Sequence, residues 1–422
     1  MYLSKVTIEN IKGCARFCWH VEAGKEAGWH VIIGDNGAGK TTILEAIALA
    51  LIGEKDAQAL RQDWGQWLRH GQNSGMIELK IAGPDQQARH QTLKIQRPID
   101  NGPTNLITTF HDQGQQVLAY RDATTQRANS PNDSRGFCAS FGAFRRLDGG
   151  ETGLGNISSK HPLYPHLSLF DPSIALLDTL EWLKQLRFKQ LEGKQPEDQL
   201  LSRLIAFINS GNLLPGNVKL QDVRSEGVFF SENGNQLEVL QLSDGYRSVI
   251  GLVFELIRQL AEKYEHDPNM FFHARDPQIT TAGLVLIDEV DAHLHPSWQQ
   301  AIGPWLVKYF PNMQFIVSTH SPLVCQAAER GSIWRISPPG EGREPYQVLG
   351  NELNRLLYGD LLDAMSTDFF GRNVSFSEQS LLLREKLANL NQKALFEDLS
   401  PGERDEQQRL RGIFSSQQNI QP

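Results

Sequence analysis

The chain is short of cysteine, of long apolar runs and of positive charge, and each shortage excludes something. Its 422 residues include four cysteines, Cys14, Cys18, Cys138 and Cys325. None forms a CxxC pair, and the spacing is not the even one of a secreted disulfide framework, so free thiols in a reducing cytoplasm are expected. Nowhere do about eighteen apolar residues run together, so no membrane span is expected. Met1-Tyr2-Leu3-Ser4-Lys5-Val6 has no apolar stretch behind a basic start, so no signal peptide is expected either. The formal net charge is −8 and the pI about 5.9. No global field therefore draws the molecule to nucleic acid or acidic lipid, and only a local basic face would bind DNA. With 40% hydrophobic and 21% charged residues, the expectation is a soluble, cytoplasmic globular chain. It is long enough for one large α/β domain with insertions, or for two domains.

What is present begins with Gly34-Asp35-Asn36-Gly37-Ala38-Gly39-Lys40-Thr41. Two glycines separated by four residues and followed by Lys-Thr make a phosphate-binding loop. Its context fits. Trp29 to Ile33 reads as a buried strand entering, and Thr42 onward leaves as a helix with Ile43, Ile47 and Leu51 on one face. Glycines let backbone N–H groups turn inward around phosphates, and the helix N-terminus adds partial positive charge. Lys40 is expected to reach the outer phosphates, and the Thr41 hydroxyl to ligate Mg²⁺. An ordinary glycine-rich turn lacks this combination of strand, helix, Lys and Thr.

Along the chain, residues 2–33 read as strands, and an aromatic there, Phe17 or Trp19, serves either as core or as an adenine platform. Residues 54–70 read as a polar helix or loop. Short alternating segments from Met76 to Tyr120, separated by turn residues, read as an antiparallel β-subdomain. A loop follows at 121–136, and then Arg145-Arg146, a pair that either faces a phosphate or is merely solvated. Two helices, one beginning near Asp171-Pro172-Ser173 and one with Pro196 at its opening, form a hairpin about Gly193. Each arm is far short of sustained heptads. Residues 218–242 read as a β-hairpin about Asn233-Gly234.

That hairpin feeds Leu242-Ser243-Asp244-Gly245-Tyr246-Arg247, where Ser243 fits the N-cap of a long helix. Gly283 to Ile287 is a strand apolar on both faces, ending in Asp288-Glu289. Acids at the C-terminal end of a central parallel strand stand where α/β sheets place ligands. One of the two can hold Mg²⁺ through water while the other faces the γ-phosphate. Asp291, His293 and His295 invite a metal-site reading, but a loop that opens a helix at Pro296 accounts for them with fewer assumptions. Gln314 to Thr319 is another buried strand, with His320 at its end to donate to a phosphate oxygen. Ser332 to Ile336 reads as an edge strand. Further helices follow over 351–370 and 381–395, and Ser400 to Glu403 caps a last one before a tail from Ser415.

Phosphate loop, Ser-Asp-Gly-Tyr helix, apolar strand with Asp-Glu and strand with Thr-His, in that order, resemble the ATP-binding-cassette ATPases of the SMC and RecF-like branch. The resemblance covers roughly residues 1–335. It implies an ABC/P-loop head with a mostly parallel core sheet, an antiparallel β-subdomain and a short helical hairpin insertion. Gly34–Thr42 would be the Walker A loop and Leu284–Asp288 the Walker B strand, with Thr41 and Asp288 as the magnesium ligands. Glu289 would be the catalytic base, His320 the switch histidine and Lys40 the third catalytic group. Asp291 would belong to the D-loop and Leu242–Arg247 would be the signature. Asp244 departs from the small residue usual there. It is similar to a subgroup of stand-alone prokaryotic ATPases that looks like those of anti-phage operons and overcoming-lysogenization-type proteins. The Q-loop glutamine has only Gln96 and Gln113 as candidates.

The resemblance further implies a homodimer in which each Ser243 turn caps ATP on the partner's phosphate loop. DNA would be a partner, and a protein effector, a nuclease or toxin encoded nearby, would be a separate chain. No Asp-x-Asp pair occurs in 336–422 to suggest a built-in nuclease. The implied division is 1–170 and 216–335 as ATPase lobes, 171–215 as a vestigial arm and 336–422 as a helical extension. Two other functions compete: a transporter's energising subunit, and a nucleotide-dependent scaffold or regulatory subunit that binds protein without DNA. The β-subdomain and the signature type disfavour the first. Glu289 and His320 disfavour a scaffold that leaves ATP intact.

Overall fold

The computed structural model describes residues 1–82, 88–98, 102, 104–112, 115–117, 136–145, 147, 157–171, 177–211, 213–214, 218–338, 343–361, 364, 369 and 378–414. In chain order the strands β1 (Tyr2–Ile11), β2 (Cys14–His20) and β3 (Gly28–Gly34) lead into helix α1 (Lys40–Ile52). Strands β4 (Ser74–Ala82), β5 (Ala88–Gln96), β6 (Asn105–Asp112), β7 (Gln115–Val117) and β8 (Phe137–Phe141) follow. Helices α2 (Leu177–Leu191) and α3 (Gln195–Ile208) precede strands β9 (Lys219–Val223), β10 (Val228–Glu232) and β11 (Asn235–Glu238). Helix α4 (Asp244–Lys263), strand β12 (Gly283–Ile287), helix α5 (Pro296–Tyr309) and strands β13 (Met313–Thr319), β14 (Gly331–Ile336) and β15 (Tyr346–Gln347) complete the sheet-bearing part. Helices α6 (Gly350–Tyr358), α7 (Glu378–Lys393) and α8 (Pro401–Phe414) come last.

The fold is mixed α/β, as the motifs imply. One six-stranded sheet runs β15-β14-β3-β13-β12-β8, with every pairing parallel except that of β15. Strands β3, β12 and β13 are buried along their whole length. That is why they read as unbroken apolar runs rather than alternating ones. The second sheet, β2-β1-β4-β5-β6-β7, is antiparallel throughout. It is wider than the expected subdomain, because β1 and β2 join it instead of standing apart. The alternation in β4 buries Ile77, Leu79 and Ile81 on one face and leaves Met76, Glu78 and Lys80 half-buried on the other. A third sheet of β11-β10-β9 contains the expected turn at Asn233-Gly234, both at positive φ. Strand β14 corrects the edge-strand expectation: β3 flanks it on one side and the two-residue β15 takes the edge.

Helices α2 and α3 form the expected hairpin, with Gly193 at φ 74° in its turn. Phe17 and Trp19 correct the adenine expectation in favour of the core reading. Both are buried, Phe17 edge-on to Trp334 and Trp19 edge-on to His30. The four cysteines are unpaired, and only Cys18 is exposed. Among the described residues no helix is long and apolar enough to cross a membrane. The chain divides into two compact units, Met1–Asp360 and Leu361–Pro422. In the second, α7 and α8 are tied by Lys386–Glu406 and Lys393–Glu403 ion pairs, and Ser400 and Glu403 form the expected reciprocal cap. Most of the 121–136 loop, Gln113, Arg146 and the tail from Ser415 lie outside the described residues.

Two buried histidines should make the first unit acid-sensitive. His30 lies between the Ser332 hydroxyl (2.9 Å) and the Glu26 carbonyl (2.8 Å), and His166 contacts the Ser140 hydroxyl at 2.7 Å. Burial pushes both imidazoles down from 6.5 to about 4. Between those values the unfolded chain binds more protons than the folded one, so the contribution of these two histidines is fully present above pH 6.5 and should be lost as pH falls toward 4. The loss should reach roughly 3 kcal/mol per histidine. Urea midpoints measured at neutral and acid pH check this. His166→Asn should reduce the slope, and an unchanged slope would exclude His166 as a source.

Candidate functional site

Register builds the site. In the parallel sheet Ile33 pairs with Thr319, Val317 with Ile287 and Ile287 with Phe141. The residues that follow β3, β12, β13 and β8 therefore leave the sheet at one edge, its C-terminal end. Gly34 must be glycine, because a Cβ there would sit 2.5 Å from the Ile336 carbonyl oxygen. Gly37 and Gly39 take φ 76° and 96°, which turns the loop into α1. Asn36 and Gly37 are exposed at its rim, Asp35 and Gly39 are half-buried, Ala38 is buried, and Thr42 lies in the first turn of α1.

Lys40 is buried, and its ammonium donates to the carbonyls of Gly34 (2.8 Å) and Asp35 (3.1 Å), using two of its three donors. Burial lowers its pKa, opposed by the nearby carboxylates of Glu289, Asp288, Asp291 and Asp35. The Thr41 hydroxyl donates to Asp288 at 2.7 Å. Asp288 is buried, and its second oxygen accepts from the Ser318 hydroxyl. That hydroxyl in turn accepts from the Glu289 backbone N–H at 2.8 Å. Glu289 stands at φ 42°, a left-handed conformation unusual for a side-chain-bearing residue. Asp291 accepts from the Thr319 hydroxyl at 2.6 Å. His320 is half-buried and its pKa is lowered, first by burial and then by Lys40, so the imidazole is neutral at neutral pH.

The structure thus brings together Lys40, Thr41, Asp288, Glu289, Asp291 and His320. It leaves Ser243, Asp244 and Gly245 outside these bonds. Ser243 holds the N-cap position of α4, is exposed, and makes no side-chain cap hydrogen bond. Asp244 is exposed and pairs with Arg247. Gly245 lies against the His293 carbonyl, which a Cβ would approach to 3.0 Å, and Tyr246 packs edge-on against Trp298 at 4.5 Å. His295 caps α5 through Nδ1, as the helix-opening reading of that loop expects. Gln96 is exposed at the end of β5.

Sequence reasoning missed three groups. Ser318 and Thr319 were visible as hydroxyls at the end of an apolar strand, but which carboxylates they hold follows only from the pairing of β12 with β13. Arg145 corrects the phosphate-facing expectation. It is buried and donates to backbone carbonyls around Asp288. Its neighbourhood follows from β8 lying beside β12.

The donor set suits a magnesium nucleotide. Adjacent oxygens of an octahedral magnesium lie about 2.9 Å apart, close to the 2.7 Å between the Thr41 hydroxyl and Asp288. An anionic phosphate tail suits the loop's N–H groups and Lys40, and the Asp288 carboxylate beside the Thr41 hydroxyl suits a hard cation.

A model described as "AAA domain" matches residues 5–206, and one described as "AAA domain, putative AbiEii toxin, Type IV TA system" matches 127–326. The chain is 26% identical over 416 residues to a Septu protein PtuA of Bacillus mycoides, covering 94% of this chain and 50% of that one. It is 39% identical over 141 residues to the "Retron Ec83 probable ATPase" of Escherichia coli, covering 33% of this chain and 24% of that one. The chain therefore spans about half the length of the first of these relatives and a quarter of the second. Among solved structures, the SMC head domain of Thermotoga maritima aligns with 83% of this chain and 100% of its own at 17% identity, with a TM-score of 0.46. The motif order and the two AAA-domain matches together show AAA-type, P-loop nucleotide-binding domains in this chain.

Proposed function

We propose that the chain binds and hydrolyses ATP as one half of an ATP-sandwich homodimer. In this reading it serves anti-phage defence, sensing or acting on DNA and controlling a separate effector such as a nuclease or toxin encoded nearby. One observation carries the enzymatic part: Lys40, Thr41, Asp288, Glu289 and His320 meet at one end of the parallel sheet, while the Ser243 end of α4 is exposed and its hydroxyl caps nothing of its own. Lys40 exchanges the Gly34 and Asp35 carbonyls for phosphate oxygens. Thr41 and Asp288 would hold Mg²⁺, which when bound would neutralise phosphate charge. Glu289 orients the attacking water and accepts its proton, and neutral His320 donates to the γ-phosphate. The partner's Ser243 turn closes the open side of the nucleotide with N–H groups and helix-end charge. Hydrolysis removes that contact, so ATP and ADP favour different assemblies. The hairpin of α2 and α3 stands as the vestigial arm.

Likeness to a Septu protein and to a retron ATPase supports the defence reading, because the motif subgroup points the same way. Turnover of magnesium ATP with and without double-stranded DNA tests the DNA part. A severalfold rise with DNA is expected. An unchanged rate would shift the reading to a regulatory ATPase that answers to a protein partner.

A further inference from the structure

Arg145 is the least expected buried charge in the molecule. Its residue exposure is 4%, yet among the described residues it is paired with no carboxylate. Its five N–H donors go to five other acceptors. Nε donates to the Ser248 hydroxyl at 3.2 Å, and Nη1 to the carbonyls of Gly142 and Asp288, both at 2.9 Å. Nη2 donates to the carbonyls of Glu289 (3.1 Å) and Val290 (3.3 Å). Three consecutive carbonyls, 288 to 290, thus converge on one planar group. The chain must curl to present them, and the residue in the middle of the curl is Glu289 at φ 42°. A conformation that costs energy persists where its surroundings over-determine it. Here they do so twice, through the guanidinium on the carbonyl side and through the Ser318 hydroxyl on the Glu289 N–H.

We infer that Arg145 is the positioning residue for Glu289. Its guanidinium holds the 288–290 turn in the shape that aims the catalytic carboxylate, and its bond to Ser248 makes that shape depend on the signature helix α4. Ser248 lies in the helix that opens at Ser243, so a tilt of that helix on engaging a partner is felt by the same guanidinium that holds Glu289. Lysine cannot replace this group, since a single ammonium cannot reproduce a planar fork of five donors.

The inference rests on the role proposed above for Glu289, and steady-state kinetics of the 422-residue chain separate the two. Arg145→Lys should lower kcat for magnesium ATP by about 10- to 100-fold and leave KM within about twofold. Ser248→Ala, which spares every backbone contact of Arg145 and replaces a small buried side chain by a smaller one, should lower kcat severalfold with the same constant KM. A wild-type kcat in Ser248→Ala, or a raised KM with kcat intact in either variant, would overturn the inference. Where Arg145→Lys does not fold, Ser248→Ala decides. Glu289→Gln is assayed alongside. If it alone is inactive, only the positioning role fails, and if it turns over normally, the role of Glu289 itself fails.

Discussion

Glu289→Gln should reduce ATP turnover by about 10²–10⁴-fold while ATP still binds, and in the presence of magnesium ATP it should sediment as a dimer. Glutamine matches glutamate in size and retains the backbone N–H that meets Ser318. What is lost is the carboxylate proposed to take a proton from water. The phosphate loop, Lys40 and Thr41 are untouched, so affinity for the nucleotide should persist. In a symmetric head-to-tail pair each ATP touches one subunit's Lys40 and the other's Ser243, so trapping ATP traps the pair. If the parent chain converts ATP to ADP as proposed, it should drift back toward monomer as nucleotide is consumed. A Glu289→Gln chain that stays monomeric with ATP would sink the sandwich, whatever its turnover.

Glu255→Ala should destabilise the first unit by about 3–5 kcal/mol, because it strands a buried guanidinium. Arg258 and Glu255, both in α4, are buried and joined by two parallel bonds, Nε to Oε2 at 2.7 Å and Nη2 to Oε1 at 2.6 Å. Glu262 takes the remaining arm of the guanidinium, Gln259 donates to Glu255 at 2.8 Å, and the Thr179 hydroxyl of α2 also donates to it. Burial works against the charge on Arg258, but Glu255, Tyr164 and Glu262 more than offset it, and the net pKa is raised. Replacing both partners, Glu255→Ala with Arg258→Met, should recover most of the loss, since the buried guanidinium goes with its partner and the carboxylate left over, Glu262, is half-exposed to water. Urea midpoints of the single and double variants decide it. A single variant that costs under about 1 kcal/mol would show the guanidinium finding water or Glu262 instead. The same network ties the hairpin arm to the helix that begins at Ser243, so the single variant should also weaken ATP-dependent pairing.

Local chemistry was legible from the residues. A phosphate loop is defined by neighbours in sequence, because strand, glycines, Lys40 and the helix that follows are covalently consecutive. The same holds for the Asp288-Glu289 strand end, the turn at Asn233-Gly234 and the Ser400–Glu403 cap. Continuous apolar runs announced central parallel strands, since burial on both faces erases alternation. The pairings of those strands were not legible. Ser318 could be seen as a hydroxyl near His320, yet that it holds Asp288 and Glu289 depends on β12 lying beside β13. Phe17 and Trp19 carried no mark to separate a platform from core, and packing settled it.

From composition and order alone, the chain was committed to an α/β nucleotide-binding architecture and to the residue types of its site. Those features follow from short-range stereochemistry and from burial patterns that each segment carries by itself. Tertiary structure decided which groups meet: Thr41 with Asp288 across 247 positions, and Arg145 with the 288–290 turn. Such encounters are set by parallel strand register, in which a shift of one residue would send every side chain to the opposite face. Nothing in a local stretch encodes that register, because it is the joint minimum of all the faces that must be buried at once.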